Sequence, residues 1–388
     1  MNPTVLHCYA DCKWTGPSEP VALLCRALMR RGWRVQLACT RPGSADGPTL
    51  AGRARWMGVP VDDGFHFDGV SGGWPREVRR LSRLIQDGGF SIVHSHGSWD
   101  NLLAAAALRR GPRRLPLMRT DHKGRLFKGT PLERLQFSRA MSDHLMVLSD
   151  LFRARSLERL GRAPGSVTTV RGAVDVEEYR PRTPPEGLRA RLGLGVSDVV
   201  FALVARVQPH RRFGVLLEAA RIVLQADPRV KIIVLGRGTR RQKLLDRPLA
   251  RMGLAGTVYP LGYRTEDYKD VLAVADAGLM LVPGSDGSCS AAMQLAAMGK
   301  PMLVARRGVL PDIVRDGETG MVVTDTPGSL AEAMLEMASL SPEQRRDWGR
   351  ASRQRMVDFF SIERQADAVI EAYKGLLGRQ AAASPGTP

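Results

Sequence analysis

The chain has 388 residues, of which 44% are hydrophobic and 25% charged, a composition typical of a globular protein. The 57 lysines and arginines exceed the 39 acidic residues, so the formal net charge is +18 and anionic partners are expected. The length predicts about two domains. No apolar run is long enough to span a membrane, and no signal peptide is expected, because the first residues do not read as a basic leader followed by an apolar core.

The first half of the chain alternates strand-like and helix-like segments. Thr4–Ala10 is followed by a helical pattern at 17–31, and helical patterns separate most of the later strands. Such alternation is typical of a mostly parallel sheet with helices on both faces. The further strands predicted in this half are 34–40, 91–95, 116–120 and 144–148.

A proline-rich segment divides the chain. Residues 180–187 read RPRTPPEG, which no regular element tolerates, so we predict a first domain at 1–181 and a second at 182–360. A helix at 361–378 is expected to pack back on the first domain, and the polar tail at 379–388 is expected to be disordered. The fold class predicted is α/β, with two Rossmann-like domains that face each other across a cleft.

The second half repeats the alternation of the first. We therefore expect a second parallel sheet covered by helices. The predicted strands are 199–204, 230–235, 257–261, 277–282, 301–305 and 321–323, and the predicted helices are 213–225, 240–252, 266–274, 329–339, 342–359 and 362–377.

The loop after the strand at 277–282 is the most informative segment. The helix that follows it is predicted to begin at Ser288–Ser290 and to end near Gly299, and a helix start favours bound phosphate. Asp286 lies just before the helix, and Ser290 and Gln294 share one of its faces. The segment suits a charged ligand with hydroxyl groups, such as a nucleotide sugar. An ordinary strand–loop–helix unit is the alternative.

Polar residues also follow other predicted strands. In DCKWTGPSE, Gly16 permits close approach of a ligand, and Ser18 is a candidate cap for the first helix. Two arginines beyond the strand at 199–204, Arg206 and Arg211, are suited to a diphosphate, although surface arginines are the alternative. Histidines follow two neighbouring strands of the first domain, and these could be functional or structural: His94, His96 and His122.

The charge distribution indicates which classes of partner to expect, and the cysteine content indicates the compartment. Most of the excess positive charge lies before residue 184, which favours an acidic lipid surface or a phosphorylated glycan. Solvated helix faces are the alternative. Nucleic acid is not expected, because neither interleaved aromatic residues nor a known binding module accompanies the charge. The five cysteines have no metal-type spacing and are interpreted as reduced thiols of a cytoplasmic protein.

Several segments occur in a characteristic order between residues 3 and 378. They are ALLCRALMRRGWRVQLA, IVHSHG, RTDH, GAVDVEEYRP, LVARVQPHRRFGVLLEAA, IIVLGRG, VYPLGYR and LPDIVRDGETGMVV. With these segments the chain resembles the family 4 retaining glycosyltransferases, which are built on the GT-B architecture. The resemblance implies a nucleotide-diphosphate sugar bound by the second domain and a glycan or lipid-linked acceptor bound by the first.

The resemblance also implies roles for individual residues. Arg206 and Arg211 match an arginine and a lysine on the donor diphosphate, and Asp286 and Gln294 match a glutamate pair that contacts the transferred sugar and the ribose. His122 matches a histidine close to that sugar. Together with the loop residues above, the predicted catalytic residues are His122, Arg206, Arg211 and Asp286; the predicted donor-binding residues are Gly16, Gly236, Gly238, Tyr263, Gly287, Ser288, Cys289, Ser290 and Gln294; the predicted acceptor-binding residues are His96, Lys123 and Arg125.

Departures from the family pattern leave alternatives open. Asp286 is one methylene shorter than the usual glutamate, Gln294 carries no charge, and the glycine-rich first loop is reduced to Gly16-Pro17. An active transferase is favoured over a non-catalytic glycan-binding relative, and a nucleotide-sugar 2-epimerase is a second enzyme class. No Asp-x-Asp follows a strand, so no metal or other cofactor is expected.

The expected setting follows from the charge and the family. We predict a cytoplasmic protein that associates peripherally with the inner face of the cytoplasmic membrane. Its expected acceptor is a precursor of lipopolysaccharide or polysaccharide.

Overall fold

The structure is a computed structural model that describes residues 3–43, 47–67, 73–112, 114–122, 126–283 and 289–383. The described residues up to Ala173 and those from Ile362 form one compact unit, and those from Val174 to Ser361 form a second. The division precedes the boundary predicted at 181. Val174 pairs in parallel with Ser361 and donates its N–H to the carbonyl of Phe360 at 2.9 Å, which ties it to the second unit.

The first unit contains a seven-stranded parallel sheet in the order β3-β2-β1-β4-β5-β6-β7. All six residues of β1 are buried, as expected for a strand covered on both faces. The predicted parallel sheet is confirmed, although two strands were not predicted. The strands are β1 (Thr4–Tyr9), β2 (Arg34–Thr40), β3 (Val61–Phe65), β4 (Ile92–Ser95), β5 (Leu117–Asp121), β6 (His144–Val147) and β7 (Val167–Thr169).

Helices connect these strands and bury their apolar faces against the sheet. α1 follows the predicted pattern closely, with eight of its twelve residues buried. The helices are α1 (Glu19–Arg30), α2 (Leu50–Trp56), α3 (Trp74–Asp87), α4 (Ser98–Arg110), α5 (Pro131–Gln136) and α6 (Asp150–Leu160).

The second unit contains a six-stranded parallel sheet in the order β10-β9-β8-β11-β12-β13. Both sheets therefore have the strand order of a Rossmann fold, which confirms the predicted fold class for each unit. The strands are β8 (Val199–Val204), β9 (Val230–Leu235), β10 (Val258–Gly262), β11 (Ala277–Met280), β12 (Met302–Ala305) and β13 (Gly320–Val323).

One predicted helix of the second unit is split. The pattern at 240–252 forms a π-helical turn at Gln242–Asp246 and then a short α-helix, where Pro248 lacks an N–H for the regular bonding pattern. The helices are α7 (Leu188–Arg191), α8 (Phe213–Ala226), α9 (Arg247–Arg251), α10 (Tyr268–Val274), α11 (Ser290–Ala297), α12 (Leu310–Ile313), α13 (Pro327–Ser339) and α14 (Pro342–Phe359).

The last helix, α15 (Ile362–Ala383), belongs to the first unit. Val369 and Tyr373 are buried in the core that α1 also lines, and Arg31 of α1 pairs with Asp367. The helix continues past the predicted end at 378, so residues 379–383 are helical instead of disordered. Their sequence, RQAAA, contains only strong helix formers.

Candidate functional site

The strand order places two loops of the second unit at one point of the sheet. β8 and β11 are neighbours where the order reverses, and ligands of open α/β sheets bind beyond the carboxyl ends of such strands. Arg206 follows β8, and Cys289 and Ser290 follow β11. The second sheet thus brings predicted donor-binding residues of two distant segments to its switch point.

The two arginines that follow β8 have different environments. Arg206 is exposed and makes no ion pair within the described residues. Arg211 is buried, and its guanidinium donates to the carbonyls of Val282 at 3.1 Å and Pro283 at 2.8 Å. Arg211 therefore fixes the backbone just after β11, while the side chain of Arg206 is available to a ligand.

The start of α11 presents backbone amides. Cys289 precedes the helix with a left-handed backbone (φ 51°), and its carbonyl accepts from Ala292 at 2.9 Å and Met293 at 3.2 Å. The positive end of the helix dipole lies at this start, which favours an anion there. The predicted start near Ser288–Ser290 is confirmed. The site predictions for Asp286, Gly287 and Ser288 lie outside the described residues.

Gln294 lies one turn further along α11 and is buried. Its Oε1 accepts a hydrogen bond of 2.8 Å from Tyr268 Oη, at the start of α10. This bond orients the carboxamide, since its oxygen is occupied and its Nε2 remains the donor. Tyr268 had not been predicted as a site residue, because no local pattern links it to a position 26 residues away.

Three neighbouring loops of the second sheet are joined by backbone hydrogen bonds. Val207 donates to the carbonyl of Arg237 at 3.1 Å, and Gly236 donates to that of Gly262 at 2.8 Å. A Cβ at Gly238 would lie 2.1 Å from the Val207 carbonyl oxygen, so only glycine permits this approach. The two predicted glycines thus shape the strand ends through close backbone packing.

Arg237 and Tyr263 stack at the carboxyl ends of β9 and β10. Tyr263 is 54% exposed, and the guanidinium carbon of Arg237 lies 4.6 Å from the centroid of its ring. Arg237 was not predicted as a site residue, although its position between the glycines of LGRG could have indicated it. An exposed aromatic ring with an arginine on one face is suited to stacking with a planar ligand.

In the first unit, the loop that carries Gly16 is closed by Ser18. The Ser18 hydroxyl accepts from the Thr15 N–H at 2.7 Å and is 2.9 Å from the Lys13 carbonyl, to which it donates. The prediction that this side chain caps α1 is therefore wrong, although Ser18 occupies the N-cap position. Gly16 is exposed at the tip of the loop.

Two predicted histidines of the first unit are in direct contact. His96, just after β4, is buried, and its Nδ1 lies 3.1 Å from Nε2 of the partly buried His122, just after β5. The backbone N–H of His96 donates to the buried carboxylate of Asp100 at 2.6 Å, and burial raises the pKa of that carboxyl to about 6. Lys123 and Arg125, the other predicted acceptor contacts, lie outside the described residues.

Desolvation keeps this histidine pair neutral. It lowers the pKa of His122 to about 4 and that of His96 well below its usual value, with His94 and His7 adding to the effect at His96. A neutral imidazole has one donor and one acceptor nitrogen. The pair can therefore bind hydroxyl groups but carries no charge near pH 7.

Comparison with known proteins places these features in a family. Residues 16–178 match the family model described as Glycosyltransferase Family 4, and residues 198–339 match the model described as Glycosyl transferases group 1. A D-inositol 3-phosphate glycosyltransferase of Saccharomonospora viridis is 29% identical over 320 residues, covering 76% of this chain and 73% of its own. One from Mycobacterium tuberculosis is 28% identical over 379 residues, covering 90% and 77%.

Solved structures show the same architecture. A glycosyltransferase from Rickettsia africae matches with a TM-score of 0.81 at 15% identity, covering 97% of this chain and 99% of its own. Anabaena Alr3699/HepE in complex with UDP matches with a TM-score of 0.77 at 16% identity, covering 96% and 100%.

Two Rossmann-type sheets, with candidate ligand residues at the carboxyl ends of their strands, define the GT-B architecture. The chain belongs to glycosyltransferase family 4.

None of the helices in the described ranges combines the length and the apolar composition that a membrane span requires. All five cysteines are free thiols.

Proposed function

We propose that the protein transfers a sugar, with retention at the anomeric carbon, from a nucleotide-diphosphate sugar to an anionic glycan or lipid-linked acceptor. The observation that carries the proposal is the second sheet's switch point, where exposed Arg206 and the first turn of α11 lie at the ends of adjacent strands. A guanidinium and a helix N-terminus are both suited to a diphosphate. The structure of Anabaena Alr3699/HepE with UDP-glucose, which shares the fold, supports this donor class.

The chemistry requires stabilisation of the leaving diphosphate. As the bond from the anomeric carbon to the phosphate oxygen breaks, negative charge grows on the diphosphate, and Arg206 and the amides of α11 would stabilise it. The acceptor hydroxyl forms the new bond, and its proton passes to the departing phosphate oxygen. Arg211 would act indirectly, because it fixes the backbone at Val282 and Pro283. No metal is required by this arrangement.

Two features support an anionic acceptor held by the first unit. Most of the excess positive charge lies in the first half of the sequence. The relatives from Saccharomonospora and Mycobacterium are named for D-inositol 3-phosphate, a phosphorylated polyol. Both inositol 3-phosphate and a phosphorylated precursor of lipopolysaccharide or polysaccharide are therefore acceptors to be compared.

A short helix of the first unit supports association with an anionic membrane. Leu132 and Leu135 of α5 are 62% and 60% exposed and lie three residues apart on one face. Lys128 and Arg134 are exposed beside them in the sequence. Exposed leucines with basic neighbours are suited to an interface of acidic lipids, and we propose that α5 contacts the inner face of the membrane.

A panel of donors and acceptors tests the proposal. UDP-, GDP- and ADP-sugars are incubated with inositol 3-phosphate or a lipid-linked glycan, with and without EDTA, and the product linkage is assigned by NMR. We expect acceptor-dependent transfer in which the donor's anomeric configuration is kept and EDTA has no effect. Conversion of UDP-GlcNAc alone would indicate a 2-epimerase, and nucleotide binding without turnover on any acceptor would indicate a non-catalytic protein.

A further inference from the structure

Six polar side chains form a continuous hydrogen-bonded row inside the first unit. It begins on β5, passes through the C-terminal helix α15 and ends at His122. We call it the histidine chain. Its members, in order, are Thr120, His94, Tyr373, His7, His96 and His122.

Short contacts join the members. His94 lies between Thr120, 2.7 Å from its Nε2, and Tyr373, 2.6 Å from its Nδ1. The Tyr373 hydroxyl is 3.4 Å from Nε2 of His7, and His7 Nδ1 is 2.8 Å from Nε2 of His96. The His96–His122 contact completes the row.

The rings of the histidine chain are neutral. Burial lowers the pKa of His7 to about 3, and it lowers the pKa of His94 well below its usual value. Burial also raises the pKa of the Tyr373 phenol, which therefore keeps its proton. Because each neutral imidazole has one N–H and one bare nitrogen, the direction of any one bond fixes the direction of all the others.

Two observations select one of the two possible directions. A neutral His94 has one N–H, so one of its two hydroxyl neighbours must accept a hydrogen bond from it. Thr120 Oγ1 has a second acceptor for its own proton, the Met146 sulfur at 3.7 Å, so Thr120 accepts from His94 Nε2–H. The phenol of Tyr373 lies 2.6 Å from His94 but 3.4 Å from His7. A contact of 2.6 Å suits an O–H donor better than an N–H donor, so Tyr373 donates to His94 and accepts from His7.

We propose that the histidine chain fixes His122 as the tautomer protonated at Nε2, which leaves Nδ1 as a hydrogen-bond acceptor for a hydroxyl of a sugar ligand. Since His7 donates from Nε2 to Tyr373, its Nδ1 accepts the N–H of His96 Nε2. The Nδ1 of His96 is then bare, and it accepts the N–H of His122 Nε2. The ligand in this inference rests on the proposed function, whereas the tautomer does not. His96, His7 and Tyr373 are then positioning residues for His122.

A bound cation is the competing explanation for the cluster. Ring nitrogens of His7, His94 and His96 lie within 4.8 Å of one another. However, the rings of His94 and His96 stack at 4.3 Å with 29° between their planes, and every nitrogen named already has a hydrogen-bond partner. Nitrogens of stacked rings do not point at one common centre, so the geometry favours the hydrogen-bonded chain.

Nitrogen-15 NMR of the labelled full-length protein tests the tautomer directly. We expect the His122 resonances to show a protonated Nε2 and a bare Nδ1 in the absence of any ligand. A protonated Nδ1 would overturn the inference. Because this measurement needs no substrate, the tautomer can hold even if no sugar nucleotide is turned over, and the two failures are distinguishable.

Variants at the far side of the histidine chain provide the second test. Tyr373→Phe removes only the hydroxyl, and Thr120→Val removes the terminal acceptor. In each case we expect His122 to populate both tautomers and kcat/KM for sugar transfer to fall about fivefold, whereas a purely structural role would change only the melting temperature. His144→Gln is the matched control. His144 is buried and contacts Thr168, but it does not belong to the histidine chain. An unchanged His122 spectrum in both variants would contradict the inference.

Discussion

Tyr268 Oη, at the start of α10, donates a 2.8 Å hydrogen bond to Oε1 of Gln294, one turn into α11. The carboxamide is therefore oriented before any ligand binds. It offers an N–H donor where a carboxylate would offer only acceptors.

We expect Tyr268→Phe to raise the donor KM about fivefold with little change in kcat, because the Gln294 carboxamide becomes free to rotate. Such a change corresponds to about 1 kcal/mol, the usual net contribution of one hydrogen bond. Gln294→Ala should raise KM by a similar factor, and the double variant should add little. Additive losses in steady-state kinetics would show that the two side chains act separately.

The glycines after β9 give a prediction about stability. Gly238→Ala should lower the free energy of unfolding by about 2 kcal/mol, because the new Cβ would overlap the Val207 carbonyl. Gly214→Ala is the control, since a Cβ at this position of α8 meets no heavy atom within 4 Å. Alanine is also a better helix former than glycine, so this variant should not lose stability. Urea denaturation should separate the two variants; equal stabilities would contradict the packing.

The protein should lose stability at mildly acidic pH. His7, with a pKa lowered to about 3, and His144, lowered to about 4 by burial, stay neutral when folded. In the unfolded chain these histidines take up protons below about pH 6.5. Each one therefore lowers the free energy of unfolding by ~1.4 kcal/mol for every pH unit between 6.5 and its pKa in the folded protein. Asp100 acts oppositely, because its raised pKa of about 6 lets the folded form take up a proton first.

Six histidines with lowered pKa outweigh this single carboxyl. The free energy of unfolding should therefore fall steeply between pH 6.5 and 5, as measured by denaturant titration. His144→Gln should give a shallower slope. A flat profile across this range would show that the folded protein takes up these protons readily.

The exposed leucines of α5 give a prediction about membranes. Leu132→Ser with Leu135→Ser should reduce co-sedimentation with vesicles rich in anionic phospholipid by about tenfold, because two apolar contacts are lost. Val196→Ser, at a fully exposed apolar residue of the second unit, is the control. Equal binding of the wild type to neutral vesicles would contradict a role for the basic residues.

Much of the fold follows from local sequence patterns. β8, β9 and α14 have the predicted bounds, because apolar runs and helical periodicity are strong in these segments. Two strands were not predicted. β3 reads VDDGF, and its two aspartates and glycine have low strand propensity, whereas β7 has only three residues. Both lie at the edges of the sheet, where less apolar surface is buried.

The candidate site was only partly predictable. Arg206 and the start of α11 could be found because they follow apolar strands. The roles of Arg211, Tyr268 and Tyr373 could not, because each depends on partners far along the chain: Arg211 contacts Pro283, and Tyr373 contacts His94, 279 residues away. Long-range contacts of this kind leave no periodic signal.

The central claim is that Arg206 binds the donor diphosphate. Calorimetric titration of UDP and UMP, with GDP and GMP in parallel, into the wild type and Arg206→Ala tests it most directly. Arg221→Ala, at an exposed arginine of α8, is the control. The wild type and the control should bind the diphosphate at least about tenfold more tightly than the monophosphate, and Arg206→Ala should lose this preference. An undiminished preference in Arg206→Ala would contradict the claim.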